Sequence, residues 1–94
     1  MEIEYLSDNL DIIDIRDEKK FKNSHIPNSK NISLYNIVTN YSKILDKNKE
    51  YVLVCDYGIQ SKIVMKMLTK LGYHVYSLKN GYNSLEKNIK TNKK

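Results

Sequence analysis

The sequence predicts an α/β protein with a mainly parallel sheet of about five short strands and helices on both faces. The first observation is alternation, since short apolar or β-branched runs take turns with segments of helical spacing. The second is the near-continuous apolar run at residues 50–55, which is typical of a strand covered on both faces. The third is length, because 94 residues provide one hydrophobic core and no second one.

The first half of the chain contains two predicted strands and two predicted helices. DIIDIR (residues 11–16) is rich in β-branched residues and predicts a strand, and the charged DEKKFKNS after it fits a short surface helix. HIPNSKN carries the only proline and predicts a loop, and NISL predicts a brief strand. Apolar residues at helical spacing then predict a helix over residues 34–45, which closes at Asp46.

The second half repeats this pattern after the apolar strand at residues 50–55. SKIVMKMLTKLG predicts a helix that Gly72 ends. Its predicted apolar stripe consists of Ile63, Val64, Met67, Leu68 and Leu71. YHVYSL predicts a further strand, and GYNSLEKNI predicts a last helix with Tyr82, Leu85 and Ile89 on its apolar face. Such strand–helix–strand units imply right-handed crossovers and therefore parallel strands.

The net charge of +5 is concentrated at the C-terminus. Residues 87–94, KNIKTNKK, carry four of the 16 basic residues and none of the 11 acidic ones, which leaves 12 basic and 11 acidic residues elsewhere. We therefore expect a folded domain over residues 1–87 and a basic, frayed tail over residues 88–94. The sequence has no RNA-binding aromatic motif, zinc-finger spacing or basic helix, so we expect no nucleic-acid partner.

Hydropathy and cysteine content predict a soluble, cytoplasmic protein. No apolar run approaches the ~20 residues that span a bilayer, and no basic stretch leads into a long apolar run at the N-terminus. We therefore expect neither a membrane partner nor a secretory signal. A single cysteine makes neither an internal disulfide nor a metal-ligand set, so we expect no metal and no cofactor.

Cys55 lies where the most apolar strand ends and the next helix begins, at the edge of the sheet where open α/β proteins bind ligands. Gly58 in the loop CDYGIQ permits a positive φ, so successive N–H groups can turn toward the sulfur. The N-terminus of the following helix adds partial positive charge. Both effects favour a thiolate or a persulfide. We expect Asp56 to face solvent or cap this helix, and Ser61 to cap its first turn.

Two other interpretations of Cys55 follow from the residues alone. Free cysteine is among the most buried residue types, so a packing role at the end of a core strand stays open. A thiol protease is disfavoured, because His25 and His74 could pair with Cys55 only by an accident of the fold. His74 lies in an apolar strand pattern, and we expect His25 to bond loop backbone.

Three segments together resemble the single-domain rhodanese family of sulfurtransferases. DIIDIRDEKKFKNSHIPNSKNIS resembles the opening strand with its Asp-x-Arg end, the His-Ile-Pro loop and an Asn-Ile strand. YVLVCDYGIQSKIVMKMLTKLGY resembles the active-site strand, the Cys-x-x-Gly-x-Arg-Ser loop and its helix, and VYSLKNGYNSLEK resembles the closing Leu-x-Gly-Gly turn and last helix. The resemblance covers most of residues 10–87 and implies a rhodanese-like three-layer sandwich.

The resemblance implies that Cys55 is the catalytic residue of a sulfurtransferase. It would accept a sulfane sulfur from thiosulfate or a persulfide, hold it as a cysteine persulfide, and pass it to a thiol or protein acceptor. The implied substrate-binding loop consists of Asp56, Tyr57, Gly58, Ile59, Gln60 and Ser61. Asp14 and Arg16 match the family's Asp-x-Arg, which implies a structural role near the site. Gly81 matches the second closing glycine, and Asn80 replaces the first, since asparagine tolerates left-handed backbone.

Two loop positions decide which chemistry the resemblance implies. Gln60 replaces the loop arginine of the family and brings no charge, so we predict weak use of thiosulfate. Lys62 could supply charge or point outward. Ser61 stands where related phosphatases and arsenate reductases have the arginine of a Cys-x5-Arg loop, which disfavours those activities. A catalytically weak rhodanese-like module that binds a protein or senses redox state remains the alternative; the retained Cys55 argues against it.

Overall fold

The computed structural model describes residues 1–7 and 9–85, so the predicted tail and Ile89 lie outside the described residues. The elements are β1 (Glu2–Ile3), β2 (Asp11–Asp14), α1 (Glu18–Asn23), β3 (Lys30–Asn31), α2 (Leu34–Ile44), β4 (Glu50–Val54), α3 (Ile59–Lys70) and β5 (His74–Leu78). Residues 81–85 are helical as well. None of the helices in the described part of the chain has the length and hydropathy needed to cross a bilayer.

The five strands form one parallel sheet in the order β1-β5-β4-β2-β3. The predicted α/β fold class with a parallel sheet is confirmed, although β1 had not been predicted. Strand β4 is central and nearly all of it is buried. Its Tyr51 and Leu53 pack with α2 and α3 on one face, whereas Val52 and Val54 pack with Leu78 and other apolar residues on the opposite face. The apolar run therefore forms a strand covered on both faces, as predicted.

The predicted strand ends are displaced by one or a few residues. Strand β4 ends at Val54, so Cys55 is the first residue of the loop that follows. Strand β3 covers Lys30–Asn31 rather than NISL, because Ser33 already begins the next helix. Its hydroxyl accepts a hydrogen bond of 3.2 Å from the Asn36 N–H as the N-cap of α2.

The buried face of α3 differs from the predicted stripe. Its buried residues are Ser61, Val64, Met65 and Leu68. Val64 and Leu68 were predicted, but Ile63 and Leu71 are exposed. The helix is rotated because Ser61 faces inward at its start, which brings Met65 inward one turn later. The predicted end of α3 is confirmed: Gly72 has φ +97°, and the Tyr73 N–H donates to the Leu68 carbonyl at 3.1 Å.

Candidate active site

Cys55 lies at the carboxyl edge of the sheet, and its thiol is enclosed by the segment 55–61, called here the thiol loop. The backbone N–H groups of Gly58 and Ser61 donate hydrogen bonds to Cys55 Sγ at 3.2 and 3.3 Å. Gly58 can turn its N–H inward because its φ is +85°, which a side chain would strain. Cys55 is only 3% exposed. Two amides and the N-terminus of α3 thus converge on one sulfur and stabilise negative charge there.

A pair of buried hydroxyls continues from the thiol into the core. The Cys55 thiol donates to Ser61 Oγ at 3.2 Å, and Ser61 Oγ and Ser77 Oγ are 2.6 Å apart. Either serine can be the donor in this pair. Ser61 Oγ can therefore accept a hydrogen bond from the Cys55 thiol. When Cys55 is a thiolate, Ser61 can instead donate to the sulfur and accept from Ser77. The predicted capping role of Ser61 is wrong, because Gly58 is the N-cap of α3 and no side chain caps that helix.

The turn after β5 holds the backbone of the thiol loop from outside. The Tyr82 N–H donates to the Cys55 carbonyl at 2.8 Å, and the Asn83 N–H donates to the Asp56 carbonyl at 3.1 Å. A Cβ on Gly81 would lie 2.5 Å from the Cys55 carbonyl oxygen, so only glycine fits there. Asn80 adopts φ +65°, as expected for its replacement of a glycine. The turn thus holds the carbonyl groups of the thiol loop, and N–H groups of the same loop face the sulfur.

Asp14 and Arg16 form a buried ion pair next to this turn. Arg16 Nη2 lies 2.8 Å from Asp14 Oδ2, and it also donates to the Ser24 carbonyl at 2.7 Å. Burial lowers the pKa of Arg16, but the hydrogen bonds and charge of Asp14 outweigh burial and raise that pKa overall. The guanidinium carbon lies 4.0 Å from the centroid of the Tyr82 ring. The pair therefore packs against Tyr82, the residue whose N–H holds the Cys55 carbonyl.

The remaining residues of the thiol loop face outward. Tyr57, Ile59 and Gln60 are exposed. Asp56 does not cap α3 but lies near the surface, with its Oδ2 3.0 Å from Lys20 Nζ. The hydrogen bond and the charge of Asp56 raise the pKa of Lys20.

Neither of the two histidines accompanies the thiol. His25 Nδ1 lies 2.7 Å from the Phe21 carbonyl oxygen, so His25 bonds backbone as expected, but this backbone belongs to helix α1 and not to the loop. His74 begins β5 at the opposite edge of the sheet from Cys55 and is exposed. The site therefore has no imidazole base of the kind that a thiol protease needs.

Three residues near the site were missed by the sequence analysis: Ser77 beside Ser61, Tyr82 on Arg16, and Lys20 beside Asp56. The sequence did point to Ser77, because a serine in an apolar strand is often buried and a buried hydroxyl needs a hydrogen-bond partner. Nothing in the sequence identifies that partner. Ser77 meets the thiol loop only because β5 pairs with β4, in a register that places it beside Leu53.

The fold and the site define a parallel α/β domain that encloses one cysteine at the carboxyl edge of its central strand. The family model of the rhodanese-like domain matches residues 3–88. The chain therefore belongs to the rhodanese-like domain family, which confirms the family that the sequence motifs indicated.

Two curated relatives are sulfurtransferases. The chain is 35% identical over 72 residues to the thiosulfate sulfurtransferase GlpE of Coxiella burnetii, covering 76% of this chain and 66% of the relative. It is 37% identical over 65 residues to the tRNA sulfurtransferase of Thermoplasma acidophilum, covering 69% of this chain and 13% of the relative. The chain thus spans just under two thirds of the first and a small part of the second.

Solved structures show the same fold. A rhodanese-related protein from Thermoplasma volcanium superposes with a TM-score of 0.79 at 25% identity, covering 85% of this chain and 79% of the other. A rhodanese-like domain protein from Staphylococcus aureus superposes with a TM-score of 0.70 at 29% identity, covering 80% of this chain and 72% of the other. These matches confirm the predicted rhodanese fold.

Proposed function

We propose that this domain is a sulfurtransferase in which Cys55 carries a sulfane sulfur as a persulfide. The observation that carries the proposal is the convergence of the Gly58 and Ser61 N–H groups on Cys55 Sγ, at 3.2 and 3.3 Å. Such donors stabilise the anionic sulfur that transfer requires, both as nucleophile and as leaving group. The sulfurtransferases among the relatives support the same class of reaction.

The proposed transfer consists of two displacements without net oxidation. The Cys55 thiolate attacks the outer sulfur of a donor R–S–SH, a new S–S bond forms, the S–S bond of the donor breaks, and R–S⁻ leaves. An acceptor thiolate then attacks the outer sulfur of Cys55–S–SH, and its S–S bond breaks to return the Cys55 thiolate. Each step exchanges one thiolate for another, so no reductant or oxidant is needed.

Two further amides of the thiol loop are suited to hold the transferred sulfur. The N–H groups of Ile59 and Gln60 lie in the first turn of α3, where no carbonyl of the same helix can accept from them. Within the described residues neither N–H has a hydrogen-bond partner. The outer sulfur of a persulfide lies about 2 Å beyond Sγ. In this proposal Gly58 and Ser61 hold Sγ, and the two intervening amides hold the outer sulfur.

The donor is proposed to be a persulfide, small or protein-borne, rather than thiosulfate. Gln60 has no charge to pair with the thiosulfate dianion. In this proposal Lys62 does not take the place of the missing arginine; its Nζ lies 3.8 Å from Glu2 Oε1, which supports that assignment. Arg16 and Lys20 are already paired with carboxylates. The acceptor is proposed to be a thiol, which needs no cation for recognition.

Mass spectrometry of the intact protein tests the proposal. After incubation with glutathione persulfide, the wild-type protein should gain the mass of one sulfur atom, and Cys55→Ser should gain none. Subsequent addition of a thiol should remove the extra mass and release a new persulfide. Absence of any adduct with persulfide and thiosulfate donors would contradict the proposal and favour the binding or redox-sensing module.

A further inference from the structure

Large apolar side chains are exposed around the thiol loop. Tyr57, Ile59 and Ile63 have exposed fractions of 69%, 66% and 65%. Ile59 and Ile63 are one turn apart on α3, so their side chains adjoin. The amides that donate to Cys55 Sγ belong to Gly58 and Ser61, which lie between these exposed residues along the chain. The exposed apolar side chains thus belong to the same loop and helix start that enclose the thiol.

The same side of the molecule is basic. Helices α2 and α3 both pack on one face of the sheet, and neither contains an acidic residue. Together they contain four lysines, Lys43, Lys62, Lys66 and Lys70. Lys66 and Lys70 continue the line of the two exposed isoleucines at helical spacing. In the part of the chain that the structure describes, Lys62 alone among the four forms an ion pair, with Glu2.

More of the lysines on α1 than on α2 and α3 are paired with carboxylates. Helix α1 contains an acidic residue in its first turn, and its Lys22 Nζ lies 3.6 Å from Glu18 Oε2. Its Lys20 is paired with Asp56. Two of the three lysines on α1 are thus paired with carboxylates. Among the described residues, three of the four lysines on α2 and α3 have no such partner, so that surface keeps a positive field. We call the exposed residues Tyr57, Ile59, Ile63, Lys66 and Lys70 the docking face.

The chemistry of the docking face suits a protein better than a nucleic acid. Single-stranded nucleic acids are bound by stacking of successive bases on several aromatic rings and by arginine. The docking face offers one aromatic ring, Tyr57, beside two aliphatic side chains. The only arginine, Arg16, is buried in its ion pair with Asp14. An apolar centre bordered by charge is instead the usual composition of a protein interface.

We propose that the docking face binds the protein that exchanges sulfur with Cys55, and that this partner presents acidic side chains next to an apolar patch. The isoleucines and Tyr57 supply the apolar contact next to the thiol loop, and the lysines of α3 orient the partner through complementary charge. This inference rests on the proposed function, because it identifies the class of partner for that site.

Binding can be measured without sulfur chemistry. The probes are two synthetic helical peptides with the same leucines and a serine at the reactive position, one carrying glutamates and the other lysines. With the Cys55→Ser protein, we expect the acidic peptide to bind at least about tenfold more tightly, with amide shifts in NMR spectra concentrated on α3. We expect this preference to shrink in 1 M salt, where the screening length falls to about 3 Å.

Matched variants locate the binding surface. Lys66→Glu and Ile63→Ser should each weaken binding of the acidic peptide by about threefold or more. Their controls are Lys22→Glu on α1 and Tyr5→Ser, since Tyr5 is an exposed aromatic residue outside α2 and α3; both should bind like the parent protein. Equal binding of the two peptides, or equal effects in variants and controls, would overturn the proposal. Preferential binding of an oligouridine probe at the docking face would overturn it too.

A transfer experiment separates this inference from the proposed function. Wild-type protein loaded with sulfur should transfer it faster to the cysteine form of the acidic peptide than to that of the basic peptide. Sulfur loading without any peptide preference would contradict the docking face but leave the sulfurtransferase intact. Selective peptide binding without any sulfur loading would contradict the sulfurtransferase and leave the docking face as that of a binding module.

Discussion

The carboxyl and amino edges of the sheet differ in which groups line them. At the carboxyl edge, backbone atoms of the thiol loop and of the turn after β5 contact each other directly around Cys55. At the amino edge, a groove of about 470 Å³ is lined by side chains such as Leu6, Leu10 and Tyr51 and contains no thiol. The proposed reactive thiol thus lies where backbone donors converge and outside this groove.

Alanine substitutions at two glycines with positive φ, one at each edge, should differ most in stability and in sulfur loading. Gly81→Ala should abolish sulfur loading and lower the free energy of unfolding by about 3 kcal/mol or more, because its Cβ meets the Cys55 and Asp56 carbonyls. Gly72→Ala, after α3, should lower it by only about 1–2 kcal/mol, since its Cβ meets only the flexible Lys47 side chain. Urea denaturation and mass spectrometry measure both. Normal loading of Gly81→Ala would show that the turn does not hold the loop.

The two ends of β2 provide the next contrast. Asp14→Asn leaves Arg16 buried without its carboxylate and should lower the free energy of unfolding by about 3 kcal/mol. Asp11→Asn removes an exposed pair with Lys49, 3.9 Å long, and should change stability by less than about 1 kcal/mol. Equal denaturation midpoints of the two variants would contradict a structural role of the Asp14–Arg16 pair.

The raised pKa of Arg16 determines how the difference in unfolding free energy between wild type and Asp14→Asn depends on pH. A group whose pKa is raised on folding contributes stability that is fully present below its unfolded pKa and is lost only as the pH rises through its folded pKa. The unfolded pKa of arginine is already strongly alkaline. The gap between Asp14→Asn and wild type should therefore stay constant from neutral to mildly alkaline pH in denaturation experiments.

Two charge changes at the thiol loop should differ in the rate of sulfur loading from thiosulfate. Gln60→Arg should raise the rate of sulfur loading from thiosulfate about tenfold, since a charge-assisted hydrogen bond would then bind the dianion. Lys62→Gln should change this rate by less than about twofold, because Lys62 is engaged with Glu2. Initial rates with thiosulfate and cyanide measure both. A large loss in Lys62→Gln would mean that this lysine serves the loop after all.

The buried hydroxyl pair should have the smallest effect. Ser77→Ala removes the donor that lets Ser61 turn toward a thiolate, and it should slow alkylation of Cys55 by iodoacetamide about threefold at neutral pH. Ser7→Ala, at the amino-edge groove, should leave alkylation unchanged. If Ser77→Ala reacts like wild type at every pH, Ser77 contributes only to packing.

The helices and strands could be predicted wherever pattern and burial agree over several residues. The run at residues 50–55 predicted β4 to within one residue, and Gly72 marked the end of α3. The two residues of β1 were missed, because so short a strand shows no alternation and forms only by pairing with β5. The buried side of α3 was mispredicted because hydropathy favoured Ile63, whereas the contact of Ser61 with the sulfur sets the rotation of the helix.

The sequence by itself determined the alternating fold, the place of Cys55 at the end of the most apolar strand, and the loss of charge at Gln60. These features depend on residue identity and on patterns within one element. Only the tertiary structure brought Ser77 to Ser61, Gly81 to the Cys55 carbonyl and Lys62 to Glu2. Those contacts join elements that are distant along the chain, so they depend on the order of the strands in the sheet, which short-range propensity and hydropathy do not encode.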